Sequence, residues 1–159
     1  MKTHYHVECL DAAGRVKWVE EFDNLVTTAG KNKVLDATFK TGLASPAWYV
    51  GLVNNTPSPS YDVGDTMGSH AGWNDVDAYS NATRPAFTPG TISGGSVDNS
   101  ASKAVFNIDA TATIAGAFLA SDNTVGGTTG TLYGVGSFAA ARSVASGDTL
   151  NVTITLTAV

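Results

Sequence analysis

Gly147-Asp148-Thr149-Leu150-Asn151-Val152-Thr153-Ile154-Thr155-Leu156-Thr157-Ala158-Val159 decides the fold. Leu150, Val152, Ile154 and Leu156 alternate with Asn151, Thr153, Thr155 and Thr157. Successive side chains on a strand point to opposite faces, so the stretch has one apolar face and one wet face. Threonine is β-branched and suits a pleated surface, so even the wet face favours a strand. Roughly eight residues at about 3.3 Å each span a small domain. Such a strand needs a neighbour to bond and an apolar layer to pack against.

Other stretches supply both. Thr3–Leu10 and Arg15–Phe22 are strand candidates, joined by Asp11-Ala12-Ala13-Gly14, whose Asp and Gly suit a hairpin. Tyr5, Val7 and Cys9 share one face of the first, while Val16, Trp18 and Glu20 alternate on the second, with Val19 offset. Trp48–Val53 is a dense aromatic and branched run, read as a central strand, with Gly51 marking a bulge or the close approach of another backbone. Lys103–Asp109 places Ala104, Phe106 and Ile108 on one face. Thr111–Ala120 is apolar on both faces, so it is sandwiched or lies at a subunit contact. Its expected phase sets Ile114, Gly116 and Phe118 against Ala115, Ala117 and Leu119. Thr131–Ala140 is a further strand, followed by a turn over Arg142–Gly147. Arg84-Pro85-Ala86-Phe87-Thr88-Pro89 is extended, and its prolines place it at an edge.

One helix interrupts this pattern. Thr27 or Thr28 caps it, Val34, Leu35 and Phe39 share a face, and Gly42 ends it. The reading is therefore all-β: a jelly-roll-like β-sandwich of about eight strands, one domain over residues 1–159, with one short helix inserted near residues 28–40.

Composition agrees and excludes several functions. Charged residues are 14% of the chain, against about 25% in an average soluble domain. Residues 1–40 hold six basic and six acidic side chains, whereas residues 41–159 hold three basic and eight acidic, which carries the whole net charge of −5. The larger part has no basic patch to neutralise phosphates, so no nucleic acid is expected as a partner. Single Cys9 cannot form an internal disulfide and reads as a small core residue. Met1–His6 lacks the apolar run of a signal peptide, and no stretch reaches the length of a membrane span. The expectation is a soluble chain that starts in a cytoplasm.

No motif for chemistry survives inspection. Gly134-Val135-Gly136-Ser137-Phe138-Ala139 fits G-x-G-x-x-A, but a dinucleotide site needs a following helix and a second parallel strand, and the terminal strand leaves no room for them. There is no Walker loop and no G-x-S-x-G, and no serine is marked as a partner for His70. His4 and His6 lack a third ligand and read as solvated edge residues. Tyr61–Tyr79 is the least regular segment and gathers Asp62, Asp65, His70, Asp75 and Asp77 around Trp73. Its carboxylates lack the rest of a calcium loop, and a pair serving a sugar or a glycosidase needs a separation that spacing does not give. They read as solvated or capping acids, with Asp65-Thr66 capping a single helical turn. The expectation is no enzyme, no cofactor and no metal. Asn54-Asn55-Thr56, Asn81-Ala82-Thr83 and Asn151-Val152-Thr153 match the glycosylation triplet by chance.

Across most of its length the chain resembles small structural proteins of tailed bacteriophages. The resemblance rests on Trp48-Tyr49-Val50-Gly51-Leu52, Ser69-His70-Ala71-Gly72-Trp73, Arg84-Pro85-Ala86-Phe87, Ala112–Leu119, Gly130-Thr131-Leu132-Tyr133 and Gly147-Asp148-Thr149-Leu150. It implies a virion protein on the capsid exterior, a decoration (cement) protein with a jelly-roll-like fold that bridges capsomers. Its implied partners are the major capsid protein and itself, as a homo-oligomer and often a trimer, assembled in the bacterial cytoplasm. Because aromatic residues dominate interface cores, Tyr61, Trp73, Tyr79, Arg84 and Phe87 are the expected contact residues. The bland reading of Tyr61–Phe87 is a long loop folded over its own sandwich. The alternative function is a tail or fibre component, or a host-glycan adhesion module, stacking sugars on Trp73 and Tyr79.

Overall fold

Two antiparallel five-stranded sheets pack face to face around an apolar core. The computed structural model describes residues 1–42 and 44–159. In chain order the elements are β1 (Lys2–Leu10), β2 (Val16–Asp23), β3 (Leu25–Val26), helix α1 (Thr28–Phe39), β4 (Trp48–Asn54), β5 (Ala86–Phe87), β6 (Ser96–Asp98), β7 (Ala104–Asn107), β8 (Ala112–Ala120), β9 (Leu132–Val144) and β10 (Thr149–Thr157). The first sheet runs β2-β1-β10, with β6 and β7 sharing the far side of β10; the second runs β3-β9-β8-β4-β5.

The alternating stretch is the spine of the first sheet. β10 bonds β1 in an unbroken register from Lys2↔Thr157 to Leu10↔Thr149. Leu150, Val152 and Ile154 are fully buried and meet the inward row Tyr5, Val7 and Cys9 of β1. Each such side chain removed from water contributes about 1.5–3 kcal/mol. β1 is therefore an inner strand, which corrects the edge placement of its histidines. His4 and His6 lie on its outer face, with Nδ1 2.9 Å from Asp23 Oδ1 and from Glu21 Oε1 respectively.

On the far side of β10 the neighbour is interrupted between β6 and β7, where the chain makes a 3₁₀ turn at Ser100–Ser102. A break beside a central strand would strand two backbone groups. Asn99, fully buried, fills it: its amide donates to the Val152 carbonyl at 3.2 Å and accepts from the Ile154 N–H at 2.7 Å. Asn81 repeats the device outside β7, donating to the Val105 carbonyl and accepting from the Asn107 N–H. Both carboxamides copy the bonding that a strand residue would provide.

The two sheets share a corner. β2 and β3 are separated only by Asn24, so one extended run leaves the first sheet and joins the second, pairing Leu25↔Val135 and Val26↔Gly134. β9 runs on to Val144, where the sequence suggested a turn. Its register against β8 jumps from Ile114↔Arg142 to Gly116↔Ser137, which leaves Phe138–Ala141 bulged out toward β2. Buried Glu20 receives the bulge, accepting from the Ala139 N–H at 3.1 Å and from Arg142 Nε at 2.6 Å. Phe138 packs on Trp18 and Phe22. Val16, expected on the inward row, is exposed because a bulge at Cys9/Leu10 shifts the pairing there. Gly134-Val135-Gly136 lies within β9, and no helix follows it.

Helix α1 starts where the sequence placed it but turns a different face inward. Thr27 caps it, its hydroxyl oxygen accepting from the Gly30 N–H at 3.0 Å. Gly30 lies flush on β9: a Cβ there would fall 2.2 Å from the Tyr133 carbonyl oxygen. This close approach sets the rotation of the helix. Val34 packs on the core, while Leu35 and Phe39, expected beside it, are 53% and 77% exposed. Gly51 on β4 makes room for a side chain rather than a backbone, because a Cβ there would strike the Phe118 ring at 2.0 Å.

Two outcomes follow. Asn99→Ala leaves the Val152 carbonyl and the Ile154 N–H unpaired in the centre of a sheet, and should lower unfolding free energy by about 3 kcal/mol in urea titration. Alkaline pH should also destabilise the fold. Burial, then the Asp148 carboxylate, pushes the Cys9 thiol up to about 11 from an ordinary 9.0. Burial raises the Tyr5 phenol well above its ordinary value. The folded chain thus keeps protons that the unfolded chain releases, so stability falls as pH climbs from 9 through 11. Thermal midpoints should drop across that window, and Cys9→Ala should delay the onset into the tyrosine range.

Candidate functional site

After Asn54 the chain crosses the outer face of the second sheet as a strap with only isolated ladder contacts. Pro57, Pro59 and three glycines deny residues 55–79 a regular ladder. Paired backbone groups pin the strap instead: Ser60 N–H to the Gly72 carbonyl at 2.9 Å, a turn closed by Thr66 and Ser69, and bridges Val53↔Asp75 and Tyr79↔Ile108. Met67 and Trp73 drop onto Val53, Phe118, Ala120, Leu132 and Val135, forming a second core with half-buried Tyr61 at its rim. The Trp73 ring centroid lies 5.1 Å from that of Phe118. The strap explains why β8 is apolar on both faces. Ile114, Ala117 and Leu119 face the sandwich, whereas Phe118 and Ala120 face the strap. The bulge at Ile114/Gly116 shifts the phase, so Ile114 does not share a face with Phe118.

The polar groups of the segment hold it in place. Asp65 Oδ2 accepts from Trp73 Nε1 at 3.0 Å and from the Asp62 N–H at 3.1 Å, so it braces a loop and caps no helical turn. The His70 ring stacks on Trp73 at 4.0 Å, with Nδ1 3.0 Å from the Trp73 carbonyl oxygen. Arg84, fully buried, donates to Asp75 Oδ2 from Nη2 at 2.8 Å and from Nε at 3.1 Å. It also donates to the carbonyls of Asp122 and Gly127, and its guanidinium sits 5.0 Å from the Phe118 ring centroid. Burial raises the Asp75 carboxyl above its usual range, and the Arg84 charge pulls it back. One cation thus fastens the strap, the approach to β5 and the β8–β9 loop to each other.

These contacts correct the expected interface. Trp73, Tyr79, Arg84 and Phe87 are buried inside the chain itself, and Tyr61 is half-buried, accepting a hydrogen bond from the Ser137 hydroxyl. Only Tyr61 keeps part of its surface toward solvent, and Trp73 and Tyr79 are not open platforms for a sugar ring. The carboxylates of Asp62, Asp65 and Asp75 are taken up by the Gly64 N–H, by Trp73 and by Arg84. Among the described residues no group of three His, Cys, Asp or Glu side chains is placed to hold a metal, and no helix is long and apolar enough to cross a membrane.

One apolar surface left facing solvent lies around α1. Its outward stripe carries Leu35 and Phe39, four residues apart and facing solvent. Beneath its inward side a cleft of about 330 Å³ opens at the end of the sandwich, lined by Val34, Ala37, Trp48, Leu119, Tyr133 and Leu156. Trp48 stands edge-on to Tyr133, with ring centroids 5.6 Å apart. Lys33 is the only charged side chain that lines the cleft among the described residues. Sequence reasoning missed this region because it set Leu35 and Phe39 against the sheet. The signal available was the stripe Gly30, Val34, Ala37, spaced for one helix face and small enough to dock closely.

No protein-family model matches the chain, and a search of curated proteins found no match.

Trp73→Ala should destabilise the chain by about 4 kcal/mol, because it leaves a large cavity in the second core and removes the indole bond to Asp65. Equilibrium urea unfolding measures the loss. Trp73→Phe, which keeps a ring on Phe118, should cost clearly less.

Proposed function

We propose that this chain is a structural virion protein, a decoration (cement) protein that seats on the outside of a tailed-phage head and ties neighbouring capsomers together. One observation carries the reading: Leu35 and Phe39, 53% and 77% exposed, project from a helix whose other side is docked on the sheet. An aromatic side chain in that position is a ready interface anchor, with about 150–250 Å² to bury. At about 25 cal/mol per Å² that is a few kcal/mol per contact.

Mechanically, the protein acts by area. Surface buried across a capsomer boundary must be re-exposed before the capsomers part, so each bound copy opposes separation under internal pressure. The partners are the major capsid protein and other copies of this chain, with a trimer multiplying weak single contacts through effective concentration. No reaction is involved. The carboxylates crowded near Trp73 serve to brace loops, and the resemblance set out above points the same way. The protein would join the virion exterior during assembly in the host cytoplasm.

Leu35→Ser with Phe39→Ser should abolish binding to purified heads of the encoding phage in co-sedimentation, while the thermal midpoint stays near wild type, because both side chains already face water. Undiminished binding would remove the helix from the interface. Copy number in purified particles provides the second measurement: hundreds per particle fit a head protein, and tens or fewer place the chain in a tail or fibre.

A further inference from the structure

We propose that the cleft under α1 is a binding site for a small amphipathic carboxylate, with its apolar body between α1 and Trp48 and its headgroup on Lys33. This goes beyond the capsid reading and stands whether or not that reading holds.

Two observations carry it. The walls are mainly apolar, with Val34 and Ala37 from the helix, Trp48 and Leu119 from the second sheet and Leu156 from the first, while Thr38 and Ser45 add hydroxyls. The volume of about 330 Å³ falls at the lower end of the range for small-molecule sites, which suits a single medium-length chain or ring.

The charge at the cleft is unspent. Lys2, Lys17, Lys40, Arg15, Arg84 and Arg142 each pair with a carboxylate. Lys33 has no such partner among the described residues, is half-buried, and lines an apolar cavity. A cation in that setting attracts an anion more strongly than one in open water. A carboxylate that lies in an apolar cleft needs such a counter-charge.

An apolar body beside an uncompensated cation selects an amphipathic acid over a hydrocarbon or an amine.

The test uses the full chain and three probes of one chain length: decanoate, decanol and decylammonium, each below its micelle concentration, in isothermal titration calorimetry at neutral pH. Decanoate should bind one to one, decanol about tenfold more weakly, and decylammonium more weakly still. Lys33→Gln should bring decanoate down to the decanol level and leave decanol unchanged. Ala37→Phe, which fills the cleft, should abolish both. Amide chemical-shift changes on wild-type protein, clustered at Lys33, Trp48 and Tyr133, locate the site independently of how well the variants fold. Equal affinity for the three headgroups, shifts elsewhere, or no binding by any probe would overturn the proposal. The last result would leave the cleft as a seat for a partner's apolar side chain.

Discussion

β8 sets the terms for the rest of the molecule. From Ile114 to Ala120 it is buried on both faces, and a strand of that kind needs a cover on each side. One cover is the first sheet, which supplies Tyr5, Val7, Leu150, Val152 and Ile154. The other is the strap, with Met67 and Trp73. The aromatic and acidic richness of residues 61–79 follows from that duty. A strap has few ladder bonds of its own, so its ordering must be offset by burial and by side-chain bonds to its backbone. Trp73 provides the first; Asp65, Asp75 and Arg84 provide the second.

The same economy of backbone bonding recurs wherever the sheets break. Asn99 replaces a missing strand residue beside β10, Asn81 does so beside β7, and Glu20 closes a bulge in β9. In each case a side chain satisfies main-chain groups that a regular ladder would have paired. Irregular strand ends are thereby compatible with a dry interior. Most of the polar side chains that a search for chemistry would single out are committed to this work, whereas the helix surface and the cleft below it are not.

Strand identity was legible because period-two alternation is local. The alternation over Leu150–Thr157, the strand at Thr3–Leu10 and the buried row Ala104, Phe106, Ile108 could be read from the chain directly, and so could the two-sided burial of β8. The helix bounds followed from Thr27 and the turn at Gly42. What escaped was set by contacts distant in sequence. The inward face of α1 depends on Gly30 meeting the Tyr133 carbonyl, a close approach that no window around residue 30 contains. β9 extends through Arg142 because Glu20 receives its bulge. Aromatic and charged residues in an irregular segment suggested an outward interface, yet all four turn inward: Trp73 and Arg84 onto Phe118 of the second sheet, Tyr79 onto Phe106 of the first, and Phe87 into the core between them. Strand order was not encoded locally at all.

The seam between β1 and β10 also governs when the molecule can exist. During synthesis β1 leaves the ribosome early and finds β2 at once through a tight hairpin, but the strand on its other side emerges only after the whole second sheet has been made. Until then the row Tyr5, Val7, Cys9 has no opposing neighbour, and β6 and β7 have nothing to border. Closing such a long loop is slow, and non-local pairing of this sort delays folding. The nascent chain therefore passes through a stage with an open, sticky sheet edge, and its yield in a cell should depend on how quickly the closing strand arrives.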